Sequence, residues 1–310
     1  MKNLALIFCV FLCACAQKHL AYITNQGENT VSVIDIAQQK VIETISVGKA
    51  PVGVAVSKKL QRAFISNVDS QNISVIDTNT QKVLDRIAIK GSPVGITISP
   101  DSKTLYVADW FSDRVIAISS ANYAEQKEVI VEKAPAGLVV SPDSKTLYVA
   151  ARDSNEIAVV DTTTLKIGKR VKVGKHPFSI NLSADGDTLY AVNVYDNSVS
   201  IIDTHTWAQS LVKVGDHPYC AVASADNKIL YVTNTLDDNV AVIDLATHKI
   251  LANIEVGSTP EGIAYDAAGN RVFIASWGDN NVSVIDAKTN KLLQKIKTGD
   301  KSRAFGNFIL

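Results

Sequence analysis

The chain is written in repeats, and their period constrains the fold more than any other feature. LYVTNTLDDNVAVID (Leu230–Asp244) has a counterpart in LAYITNQGENTVSVID (Leu20–Asp35), with close variants between. The residue closing the phrase falls at Asp35, Asp77, Ser119, Asp161, Asp203, Asp244 and Asp286, in steps of 42, 42, 42, 42, 41 and 42 residues. A period of 40–45 residues built from short strands predicts propeller blades, because one such unit cannot bury its own apolar faces and must stack on neighbours. Seven repeats over residues 20–310 leave no room for a second domain.

Each unit holds four strand-like runs. PVGITIS (Pro93–Ser99) leads through PDSK to TLYVAD (Thr104–Asp109); after a polar loop comes a run such as NVAVID (Asn239–Asp244); DTNTQK (Asp77–Lys82) then turns into VLDRIAIKG (Val83–Gly91). Val, Ile, Tyr and Thr fill the runs, and Gly, Pro, Asp, Asn and Ser fill the gaps. Several runs are apolar at nearly every position, which suits sheets covered on both faces. No segment carries helical periodicity, so the expected fold is all-β: a seven-bladed propeller with four antiparallel strands per blade. The phase of the repeat predicts the closure. LAYITN is a second strand with no first strand before it, and SRAFGNFIL (Ser302–Leu310) stands where each unit places its first. The C-terminal strand is therefore expected to complete the blade that the N-terminal strands begin, leaving no open edge.

Tyr231-Val232-Thr233-Asn234 is the tetrapeptide of the YVTN family of β-propeller repeats, with variants at Tyr22-Ile23-Thr24-Asn25, Phe64-Ile65-Ser66-Asn67 and Tyr106-Val107-Ala108-Asp109. The chain resembles that family from about residue 20 to residue 310. The resemblance implies the seven-bladed fold but spreads over several functions: archaeal surface-layer components, a periplasmic protein that binds single-stranded DNA, and relatives of quinohaemoprotein and d1-haem propellers.

The repeated residues read as architecture. An Asp ending a strand before TxT accepts backbone N–H bonds and fixes the turn, and one per blade spreads around a ring instead of converging on a substrate. The recurrent proline of VGKAP, KGSP and GKHP starts a strand where its missing N–H costs nothing. There is no Ser-His-Asp set, phosphate loop, Cys-x-x-Cys pair or haem-attachment Cys-x-x-Cys-His. The sequence assigns no catalytic residue and no metal ligand set, requires no cofactor, and leans away from an enzyme.

Function is then expected where the repeats differ. Loops joining second to third strands share one face, the upper face, with the loops that lead into each inner strand. They carry Trp110 and Phe111, Arg152 and Asp153, Tyr195 and Asp196, and Trp277 and Asp279. His176 and His217 stand before the prolines of consecutive blades, and the residues after the prolines run Val52, Val94, Ala136, Phe178, Tyr219, Glu261, with Arg303 at the matching place. Loops have no core of their own to bury a tryptophan, so Trp110, Phe111, Arg152, His176, Tyr195, His217, Glu261, Trp277 and Arg303 form the expected ligand or partner surface. His176 and His217 lack a third histidine for a metal, since His205 and His248 fall on lower-face turns. Net charge is zero, with 31 basic and 31 acidic residues, so no global field draws the chain to nucleic acid. The expected partner is a protein or small molecule and the expected state a monomer; handling of a haem or quinone cofactor, or binding of single strands by aromatic stacking, are the rival readings.

The first residues, MKNLALIFCVFLCACAQ, have the layout of a secretory signal over residues 1–16: one early cation, an apolar stretch, then small residues. Two cleavage readings compete. Leu12-Cys13-Ala14-Cys15 resembles a bacterial lipobox and would place a diacylglyceryl group on Cys15, anchoring an exported, envelope-located protein to a membrane. Ala14-Cys15-Ala16 also reads as an ordinary cleavage site releasing a soluble chain from Gln17. Cys220 is the only cysteine outside this leader, so the body holds no internal disulfide. It is expected to be a small buried filler.

Overall fold

The computed structural model of the protein describes residues 19–124 and 126–310. The leader and Cys15 lie outside the described residues. Seven antiparallel sheets follow one another along the chain. Blade 1 contains Leu20–Asn25, Thr30–Asp35 and Lys40–Ser46; blade 2 contains Pro51–Ser57, Arg62–Asn67, Asn72–Asp77 and Lys82–Ala88. Blades 3 to 7 begin at Pro93, Pro135, Pro177, Pro218 and Pro260. The only helices among the described residues are single 3₁₀ turns, Arg152–Ser154 and Val194–Asp196, in upper loops of blades 4 and 5. None is long or apolar enough to cross a membrane.

Closure follows the phase of the repeat. Tyr22 N–H donates to Phe308 O (3.0 Å), Arg303 N–H to Thr24 O (2.9 Å) and Leu310 N–H to Leu20 O (2.9 Å). The closing segment thus lies antiparallel along blade 1. Phe305–Asn307 also pairs in parallel with Gly53–Ala55 of blade 2, a contact the sequence reading did not anticipate. Inner strands of neighbouring blades run the same way and converge on the axis, where they come close enough to bond.

That convergence explains the small residues one place beyond Val52 and its equivalents: Gly53, Gly95, Gly137, Ser179, Cys220, Gly262 and Ala304. A Cβ on Gly95 would stand 1.9 Å from Ala136 O of the next blade. Cys220 occupies this position, buried, with its thiol pushed up to about 12 by desolvation, so it is the inert filler expected.

Further out, each second strand puts an aromatic at its third position, and all seven are buried: Tyr22, Phe64, Tyr106, Tyr148, Tyr190, Tyr231 and Phe273. These rings wedge between blades and join the apolar clusters that run from blade to blade. Tyr22 Oη reaches Gln81 of blade 2 (3.2 Å), and burial raises its pKa to about 12. The outer strands are largely exposed and carry many lysines, which blunt the edge against pairing with another chain.

Lower-face turns behave as the sequence indicates. Asp161 Oδ1 accepts N–H bonds from Thr163 (3.1 Å) and Thr164 (2.7 Å), and Asp203 accepts from His205 (2.9 Å) and Thr206 (2.6 Å). These bonds hold both carboxyls below the usual range.

Candidate functional site

The expected upper-face residues do share one face. Loops between second and third strands bond to the inter-blade loops beside them: Trp110 N–H to Ser92 O (3.3 Å), Arg152 N–H to Ala134 O (3.2 Å), Val194 N–H to His176 O (3.1 Å), Trp277 N–H to Thr259 O (2.9 Å). His205 lies on the opposite face, with Nε2 2.9 Å from Asp187, which raises its pKa.

Within that face the residues fall into two groups. The first is an arc over blades 3 to 6. The Arg152 guanidinium sits 5.1 Å from the centre of the Trp110 ring and pairs with Asp153 (2.8 Å). His176 approaches Asp153 (3.8 Å) and stacks on Tyr195 with ring centres 4.1 Å apart; Tyr195 meets His217 edge-on at 5.8 Å, and His217 Nδ1 lies 3.0 Å from Asp216. Desolvation, then the nearby Arg152 charge, lowers the His176 pKa against the opposing pull of Asp153. The Tyr195 ring contacts both imidazoles. Among the described residues, no group of three or more His, Cys, Asp or Glu is placed to hold a metal ion. Phe111 is 80% exposed, and Tyr195 and Leu236 are exposed on the same loops.

The second group lies at the mouth of the ring over blades 6, 7 and 1. Arg303 Nη2 donates to Glu261 (3.0 Å) and to Tyr219 Oη (2.9 Å), and its Nη1 reaches Gln26 (3.4 Å). Glu261 is 8% exposed. Burial acts against charge on both partners. On Glu261 it raises the carboxyl against the pull of Arg303; on Arg303 the attraction of Tyr219 and Glu261 prevails and raises the guanidinium. Trp277 shares Gln26, through Nε1 at 3.4 Å, and has Lys301 over its ring.

Two features differ from the reading of the sequence. Trp110 is half-buried, because the mouth has a small core of its own. Phe178 packs against Trp110 (5.5 Å), Tyr219 (4.4 Å) and Phe305 (4.9 Å), with Val52 and Ala136 in the same cluster. The mouth is consequently plugged. Below the plug an axial cavity of about 290 Å³ is lined by Thr97, Asn181, Cys220, Tyr265, Phe305 and Asn307 among others, and none of the nine expected site residues reaches it. The sequence signalled Phe178 and Tyr219 through the series after the prolines; Phe305, two residues past Arg303, carried no such mark.

A family model described as a YNCE-like beta-propeller matches residues 122–307. The chain belongs to the YNCE-like β-propeller family. This agrees with the YVTN resemblance of the repeats. Curated proteins give no match to the sequence. Among solved structures, the YNCE-like chain is similar to hydrazine synthase of Kuenenia stuttgartiensis, with a TM-score of 0.78 at 20% identity over 86% of this chain and 91% of that one. A functionally unknown protein from Desulfotomaculum acetoxidans has a TM-score of 0.76 at 15% identity, covering 93% of this chain and 99% of that one. The dihydro-heme d1 dehydrogenase NirN, solved in complex with DHE, has a TM-score of 0.71 at 14% identity, covering 91% and 74%. At these identities the likeness is one of fold.

Proposed function

We propose that the protein is an exported, lipid-anchored binding module of the cell envelope that captures a protein or small-molecule partner on the upper-face arc. The observation that carries this reading is the unbroken run Trp110–Arg152–Asp153–His176–Tyr195–His217. Stacked rings alternate there with charges, topped by an exposed Phe111. The matching loops of blades 1 and 2 hold Gln26-Gly27-Glu28 and Asp69-Ser70, with no aromatic group. Rigid aromatic and arginine side chains on a fixed scaffold are the groups that dominate recognition surfaces. In-cell cross-linking followed by mass spectrometry tests it. Phe111→Ala, Arg152→Ala and Tyr195→Ala should each reduce the cross-linked species severalfold with folding intact, while His205→Ala and His248→Ala should not. Equal loss from both faces would refute the placement.

One observation favours a second reading, the handling of a haem-type cofactor. His176 Nδ1 is buried without a hydrogen-bond partner among the described residues, and the NirN likeness is to a protein solved with DHE. A visible absorbance band in the purified protein that disappears in His176→Ala would replace the scaffold reading.

A further inference from the structure

The outer rim of the propeller is uneven. Ile250 and Leu251 of blade 6 and Leu292 and Leu293 of blade 7 are all exposed, with Leu251 at 54% and Leu293 at 49%. Each pair opens an outer strand just after a lower-face turn, behind an exposed lysine: Lys249-Ile250-Leu251 and Lys291-Leu292-Leu293. Blades 1 and 2 repeat the sequence as Lys40-Val41-Ile42, whose Val41 and Ile42 pack half-buried on the core, and Lys82-Val83-Leu84, of whose apolar pair only Leu84 is exposed. Blades 3, 4 and 5 begin their outer strands with Gln126-Lys127-Glu128, Lys166-Ile167-Gly168 and Gln209-Ser210-Leu211, and lack it. Lysine followed by two apolar residues therefore marks four consecutive blades, 6, 7, 1 and 2. Among the described residues, none of Lys40, Lys82, Lys249 and Lys291 has an acidic partner within 4.0 Å.

The chain enters the fold in the middle of this arc. His19 precedes the first strand of blade 1 at its lower end and lies 3.7 Å from Asp266 of blade 7. The same seam is tied by Arg271 to Ile36 O (3.1 Å) and by Gln294 to Gln39 O (3.0 Å). Three residues separate Cys15 from His19, a reach of at most about 14 Å over the four steps when fully extended.

We propose that the lower outer rim of blades 6, 7, 1 and 2 rests on an anionic lipid surface. This rests on the anchor reading for its tether. The exposed Ile250, Leu251, Leu292, Leu293 and Leu84 would enter the headgroup region while the lysines behind them meet anionic headgroups, which orients a chain already held by its two acyl chains. The upper-face arc would then point away from the membrane.

The test uses the full processed chain on vesicles of equal parts phosphatidylcholine and phosphatidylglycerol that carry a lipid-borne quencher. A fluorophore is placed through Leu293→Cys or, on blade 5, Leu211→Cys; buried Cys220 does not compete for it. Quenching at position 293 should exceed that at 211 severalfold. Lys249→Glu with Lys291→Glu should bring 293 down to the 211 level without releasing an acylated chain. Equal quenching at both positions overturns the proposal. So does shielding of position 293 that rises with protein concentration when no vesicles are present, which would mean that a second copy covers the rim. Intact mass reads the anchor separately. If the terminus is unmodified the anchor reading fails, and sedimentation decides the rim: retention by the mixed vesicles, weakened about tenfold by Leu251→Glu with Leu293→Glu, supports it. Absence of retention dependent on phosphatidylglycerol overturns it.

Discussion

Blades 4 and 5 share a backbone and differ where the inter-blade loop meets the upper hairpin. In blade 5, Gly174 lies against Asn193 so closely that a Cβ on residue 174 would stand 2.6 Å from Asn193 Cγ. Asn193 is buried and donates to Ser198 Oγ (3.2 Å) and Ser200 Oγ (3.0 Å). Blade 4 has Glu132 and Ala151 at these places. Glu132 turns outward to Arg170 (2.7 Å). Arg170 and Lys172 in turn approach the buried Glu156, at 3.3 and 2.9 Å. In blade 5 the glycine of VGK and the asparagine of YVTN thus pack as one unit, and blade 4 lacks both; blade 7 keeps the glycine against a serine, Gly257 on Ser276. Gly48 on Asn67, Gly215 on Asn234 and Gly299 on Asn25 repeat the blade 5 arrangement.

The largest effect belongs to the junction at Gly299, which is of the blade 5 kind but draws its inner strand from the far end of the chain. Deleting Arg303–Leu310 removes the bonds to Thr24, Tyr22 and Leu20, together with buried Phe305 and Phe308, and opens blade 1 as an edge. The expected outcome is aggregation and loss of the cooperative thermal transition. An unchanged melting temperature would show that the ring does not depend on this closure.

A smaller effect separates blades 4 and 5 directly. Gly174→Ala should destabilise by about 1–3 kcal/mol in urea unfolding, because the added methyl meets a buried, hydrogen-bonded neighbour. Glu132→Ala, which removes only a half-exposed ion pair, should stay within about 0.5 kcal/mol. Placed in an Asn193→Ala background, Gly174→Ala should cost about 1 kcal/mol less than alone, a coupling that a double-mutant cycle measures. Additive costs would break the comparison.

The smallest effect concerns what the two blades have in common. Asp161 and Asp203 cap equivalent lower-face turns, and both carboxyls are held below the ordinary value, chiefly by backbone N–H bonds from Thr164 and Thr206. Asp77, Asp244 and Asp286 are depressed in the same sense. A carboxyl with a lowered folded pKa adds stability that is present above the unfolded value of about 3.9 and is lost as pH falls through the folded one. Melting temperature should therefore hold near neutrality and drop in acid. Asp161→Asn and Asp203→Asn should blunt that drop equally; a response in one blade alone would show that the turns are not equivalent.

The sequence by itself determined the blade count, the strand order, the closure and the division into two faces, because each is fixed by period and phase. Proline, aspartate-threonine turns and alternating apolar runs act locally and repeat in every blade. It also separated His205 and His248 from His176 and His217, since strand direction assigns each turn to a face. Only the tertiary structure decided how the upper-face residues divide. Trp110 joins Arg152, Phe178 packs on Phe305, and Glu261 meets Arg303 across 42 positions of sequence. The plug at the mouth, the parallel contact at the axis and the exchange of Gly and Asn for Glu132 and Ala151 also appear only there. Each arises between blades rather than within one. A repeat states what every blade must be, while contacts across the ring depend on which side chains convergence at the axis brings within reach.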